Sequence, residues 1–171
     1  WMHDYNQNLP EGEKIWFVGN DPQGPNFSIE VNLIKTYLEE VAPDSVYSII
    51  SRYNEFPTGS LSELTGSDAQ VHETNQSHAL YVRNYLEEHE ANFVAATSQR
   101  EFDVVRMAAH VIQFREFMYW QGDFGVRRDE LMATYTQWWQ EIFSTDQGEA
   151  KVAAWAHNRH VANANGWMGR F

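Results

Sequence analysis

Apolar residues along most of this chain recur at intervals of three and four, the spacing of one face of a helix. Between Ser28 and Val41 they are Ile29, Leu33, Ile34, Tyr37, Leu38 and Val41, and Pro43 marks where that helix ends. Asp44 to about Tyr53 reads as a short helix. The stretch 56–66, with one proline, two glycines and four Ser or Thr residues, reads as a loop. From Asp68 to about Ala95 the periodic positions are Val71, Ala79, Val82, Tyr85, Leu86 and Phe93, which predicts a long surface helix with Glu87-Glu88-His89-Glu90 on its solvated side. Ser98 and Glu101 form a capping box that opens a helix to about Tyr119, its apolar face carrying Phe102, Val105, Ala109, Ile112 and Phe117. After the break at 121–125 a last helix runs from about Arg127 to Phe143.

Two segments depart from that rhythm. Lys14-Ile15-Trp16-Phe17-Val18-Gly19 and Val152-Ala153-Ala154-Trp155 are short apolar runs, predicted to be strands, the first buried on both faces. Two strands do not make a sheet that stands alone. The expectation is therefore an α/β chain carrying part of a parallel sheet, with a helical insertion at about 44–143. The missing strands would come from absent sequence or another chain, and residues 1–171 read as the central part of one domain.

Composition narrows the functions this domain could have. Hydrophobic residues make up 43% of the chain, enough to bury a core. Twelve basic against 24 acidic residues give a net charge of −12, which repels phosphate backbones, so no nucleic-acid partner and no anionic membrane surface is expected. Without cysteine there is no disulfide, thiolate metal site or cysteine nucleophile. Trp1-Met2-His3-Asp4-Tyr5-Asn6 is polar rather than signal-like and no run approaches a membrane span, so a soluble, cytoplasmic protein is expected. The sequons at Asn26 and Asn75 are accordingly read as ordinary asparagines.

Three clusters carry candidate chemistry: Gly19-Asn20-Asp21-Pro22-Gln23-Gly24 after the first apolar run, Arg127-Arg128-Asp129 at the start of the last helix, and His157-Asn158-Arg159-His160 after the second run. Imidazole titrates near neutrality and can take a proton from water and return it. A guanidinium is permanently charged and presents a donor fork suited to a developing oxyanion. Each residue also has a purely structural reading. His157 could be a buried histidine bonded to a carbonyl, Arg128 half of an ion pair, and Asn20-Asp21-Pro22 ordinary turn chemistry. Two histidines three apart do not complete a metal site, and no Glu-x-x-His pair, nucleophile elbow or Walker lysine occurs in the pattern such sites need. No metal and no cofactor is therefore expected. Trp120, Trp138 and Trp139 are core aromatics or the lining of an apolar cleft for a bulky ligand.

Taken together, the motifs resemble the erythromycin esterase family. The resemblance is carried by Trp1-Met2-His3-Asp4-Tyr5-Asn6, Phe17-Val18-Gly19-Asn20-Asp21-Pro22-Gln23, Arg128-Asp129-Glu130-Leu131-Met132-Ala133 and Trp155-Ala156-His157-Asn158-Arg159-His160, four motifs in order across nearly the whole chain. It implies a three-layer α/β/α fold and hydrolysis of a cyclic ester, a macrolide among the candidates, by directly activated water. His157, His160 and Arg128 would be catalytic, with Asp21, Gln23, Asp129 and Asn158 binding substrate or supporting them. The Gly-Glu-x-x-His segment of that family has no match in these 171 residues, so the histidine cluster reads as one half of a site. The alternative is a non-catalytic binding or structural module that keeps the fold without the full active site.

Overall fold

A computed structural model describes residues 1–22, 27–54, 56, 68–121, 126–144 and 148–154. The α-helices are α1 (Met2–Asn6), α2 (Ser28–Val41), α3 (Val46–Ile50), α4 (Ala69–Glu88), α5 (Glu90–Ala96), α6 (Gln99–Gln121) and α7 (Val126–Phe143), with single 3-10 turns at Glu11–Glu13, Pro43–Ser45 and Ser51–Tyr53. There is no strand among the described residues, which overturns the expected three-layer α/β/α sheet. The chain divides into two compact units, Pro22–Arg128 and a second made of Trp1–Asp21 with Asp129–Phe171.

In the unit Pro22–Arg128, α6 packs against both α2 and α4. The buried positions of α4 are His72, Asn75, Ala79, Val82 and Leu86, and those of α6 that face the core include Phe102, Val105, Ala109, Ile112 and Glu116. Both sets step by 3, 4, 3 and 4 residues, the seam that lets two helices interlock along their length. The pairing is antiparallel, because His72 meets Glu116 at one end while Glu87 lies beside His110 further along. Ile34, Tyr37 and Leu38 of α2 complete the core with Phe27, Ile49, Tyr53, Phe56 and Phe93. Tyr53 and Phe56, and Tyr37 and Phe93, meet edge to face, the arrangement favoured by the ring quadrupole.

Local chemistry sets the helix ends. Asp68 caps α4 by accepting from the Gln70 N–H at 2.9 Å. Ser98 accepts from the Glu101 N–H at 3.2 Å and donates its hydroxyl to the Glu101 carboxylate at 2.8 Å, so the expected capping box opens α6. The single helix expected from Asp68 to Ala95 is two. Glu87 and Glu88 put negative charge at the negative end of the α4 macrodipole, where it is unfavourable, and His89 leaves helical geometry there. Glu90 then places its charge at the favourable start of α5.

Four positions of the apolar stripes are exposed, Leu33 of α2 among them. Ile29 is 80% exposed, Val71 is exposed while its neighbour His72 is buried, and Phe117 is exposed while Glu116 is buried. A period read from apolar residues alone shifts by one position wherever a polar side chain occupies the buried face.

The second unit contains both runs expected to be strands. Lys14–Gly19 is irregular and open: Ile15 and Trp16 are exposed and Phe17 is 89% exposed, so it is not a strand buried on both faces. Its polar backbone groups are met by side chains instead of a ladder. The Asn6 amide accepts from the Ile15 N–H at 2.8 Å and donates to the Ile15 carbonyl at 2.7 Å, standing in for a neighbouring strand at one residue. The Trp139 indole N–H donates to the Gly19 carbonyl at 2.8 Å. Of the run Val152–Trp155, residues 152–154 are not a strand, Val152 is exposed, and Trp155 lies outside the described residues.

Candidate functional site

Of the seven residues singled out from the sequence, Asp21, Arg128 and Asp129 are described, whereas Gln23, His157, Asn158 and His160 lie outside the described residues. Arg128 and Asp129 occupy the first turn of α7 and both are half-buried. Consecutive helical positions are about 100° apart, so the two side chains leave the helix in different directions. The Asp129 carboxylate near the helix start is favoured there by the macrodipole. Neither side chain lacks a partner.

Asp21 is exposed, and the chain before it is held to α7. Asn20 donates to the Thr136 hydroxyl at 3.0 Å, and Trp139 holds Gly19 three residues further along the same helix. A stack of three rings continues this contact: Trp16 lies on Phe143 with centroids 5.2 Å apart, and Phe143 on Trp139 at 5.7 Å. Within this unit, then, α7 brings the segment ending in Asp21 onto the helix that carries Asp129. The anchor at Thr136 is seven residues, or about 10.5 Å of helix rise, from Asp129. Trp138 and Trp139 are half-buried.

The most developed polar constellation is one that the sequence motifs do not point to. In the unit Pro22–Arg128, His72 Nδ1 lies 2.7 Å from Glu116 Oε1, and the Asn75 side chain donates to the same oxygen at 3.2 Å. All three side chains are 1% exposed or less. A His72 N–H at Nδ1 donating to Glu116 Oε1 satisfies this contact, and it aims the ring's Nε2 away from the carboxylate. The neighbouring residue Arg115, also buried, pairs with Glu30 and places its guanidinium 4.6 Å from the centre of the Phe27 ring. Consecutive residues of α6 thus carry opposite charges to two different neighbours, Arg115 to the start of α2 and Glu116 to the first turns of α4.

This cluster was legible in principle. Stepping back from Leu86, Val82 and Ala79 by four and then three residues reaches Asn75 and His72, not Val71. Stepping forward from Ile112 by four reaches Glu116, not Phe117. Burial also makes Asn75 inaccessible, so that sequon offers no acceptor in the folded chain.

Nearby titratable groups follow their surroundings. Burial, reinforced by the Arg83 and Arg106 guanidinium groups, pushes His110 down to about 4. Glu87 lies 3.5 Å from its Nε2 and favours the cation, but desolvation and the two arginines outweigh it. Burial raises the Tyr53 hydroxyl far above the ordinary phenol range. Among the described residues no group of three or more His, Asp or Glu side chains is arranged to hold a metal ion, and no helix is long and apolar enough to cross a membrane.

A family model described as erythromycin esterase matches residues 1–170. The chain belongs to the erythromycin esterase family. No curated protein matches it. Among solved structures it is similar to a Bacillus cereus protein, with TM-score 0.70 and 21% identity over 82% of this chain and 36% of that one. It is also similar to a succinoglycan biosynthesis protein, with TM-score 0.68 and 23% identity over 84% of this chain and 35% of that one. At such identity the likeness is one of fold. The chain spans about a third of the length of the solved structures it matches.

Proposed function

We propose that this chain is part of a hydrolase of the erythromycin esterase type that opens a cyclic ester with water as the nucleophile. The observation that supports this is the family match across residues 1–170, which includes all seven candidate residues. In this scheme His157 or His160 accepts a proton as water oxygen attacks the ester carbonyl carbon. Arg128 offsets the negative charge that moves onto the carbonyl oxygen. Collapse of the tetrahedral species breaks the bond to the ring oxygen, which takes the proton back from imidazole and leaves an opened hydroxy acid. Asp21, Gln23, Asp129 and Asn158 bind the ester or orient these groups. The apolar side chains of Ile15, Trp16 and Phe17 are the surface that we expect other sequence, in the same polypeptide or a partner chain, to cover.

The test is ester hydrolysis by the full-length protein, with macrolactones and simple esters as substrates, before and after His157→Ala. Loss of a positioned general base lowers kcat by about 10²–10⁴-fold. An unchanged rate removes His157 from the mechanism. No hydrolysis of any ester by the unaltered protein supports the non-catalytic module instead.

A further inference from the structure

The His72–Asn75–Glu116 cluster holds more acceptors than the surrounding side chains satisfy. Glu116 Oε1 receives hydrogen bonds from both His72 and Asn75, yet Oε2 of the same buried carboxylate has no hydrogen-bond partner, and neither does Asn75 Oδ1. Buried polar atoms in native proteins are almost always paired, and a carboxylate oxygen is among the most demanding. Among the described residues, the buried seam positions next to the cluster are apolar: Ala79, Val82 and Leu86 follow on α4, and Ile112 and Ala109 precede Glu116 on α6. Two orphan acceptors on side chains already joined by a hydrogen bond call for a small donor with at least two partners, the condition under which a buried guest is held.

We propose that Glu116 Oε2 and Asn75 Oδ1, at the polar end of the α4–α6 seam, form an internal site for one small electropositive guest, a water molecule or a monovalent cation of potassium or ammonium size. His72 holds the carboxylate in place from its other oxygen and so orients Oε2. Asn75 donates to the same oxygen as His72, so Oε2 is left facing away from both donors. The guest completes the seam where apolar packing stops. The inference is independent of the ester-hydrolysis reading.

The experiment is a high-resolution crystal structure of the full-length protein grown with potassium and, in parallel, with rubidium, together with thermal melts in potassium, ammonium and tetramethylammonium chloride at equal ionic strength. Density within hydrogen-bond reach of Glu116 Oε2 is expected. A rubidium anomalous peak there, with a melting temperature raised by the small cations and not by tetramethylammonium, identifies a cation. A non-anomalous peak with cation-independent melting identifies water. In Glu116→Gln the amide group brings its own donor, and the density should vanish or move to the acceptor side. Absence of density in the unaltered protein, or a protein side chain found bonded to Oε2, overturns the proposal. If Glu116→Gln does not fold, the unaltered crystals alone decide.

Discussion

Breaking the buried His72–Glu116 pair from either side, and then removing both partners, measures what it contributes. Among side-chain partners, His72→Leu leaves the Glu116 carboxylate with the 3.2 Å bond from Asn75. A charge stranded in a fully buried position costs about 3–5 kcal/mol. Glu116→Leu removes the charge but strands the His72 and Asn75 donors, each at about 1–3 kcal/mol. In the double variant only the Asn75 amide remains unmatched among the three, so its cost returns to about 1–3 kcal/mol, with leucine filling the seam. The double variant should therefore be no less stable than His72→Leu alone. The coupling energy should be at least about 2 kcal/mol, the smallest value these costs allow and well above what independent sites show. Urea unfolding of the four proteins with linear extrapolation gives the cycle directly. Effects that add to within about 0.5 kcal/mol would refute the reasoning, since they would mean that the two side chains do not depend on each other.

The corrected face of α2 is checked by two isoleucines: Ile34→Ala should lose about 2–5 kcal/mol and Ile29→Ser should stay within about 0.5 kcal/mol, read from denaturant midpoints. His110 supplies a pH test. Its folded value of about 4 lies below the ordinary 6.5, so between those values the unfolded chain binds more protons and stability falls as pH is lowered. Stability of the unaltered protein should drop from about pH 6.5 toward pH 4, and His110→Gln should flatten that slope; an identical slope in the variant would show that His110 is not the group responsible.

Local rules read α2, α6 and α7 from the sequence to within a residue or two, because helical periodicity, a proline stop and a capping box are written in neighbouring residues. The family, too, was legible from short motifs in order. The strand readings failed for a physical reason: an apolar run such as Ile15–Val18 becomes a strand only if another strand bonds its backbone. Here the Asn6 amide and the Trp139 indole take that place. The His72–Asn75–Glu116 cluster was missed because hydropathy treats a buried polar residue as surface. Sequence by itself determined which segments are helical, where several of them start and stop, and to which family the chain belongs. Tertiary structure decided that the carboxylate and imidazole in step with the apolar stripes of α4 and α6 meet and are buried, because the two partners, 44 residues apart, come together only in space.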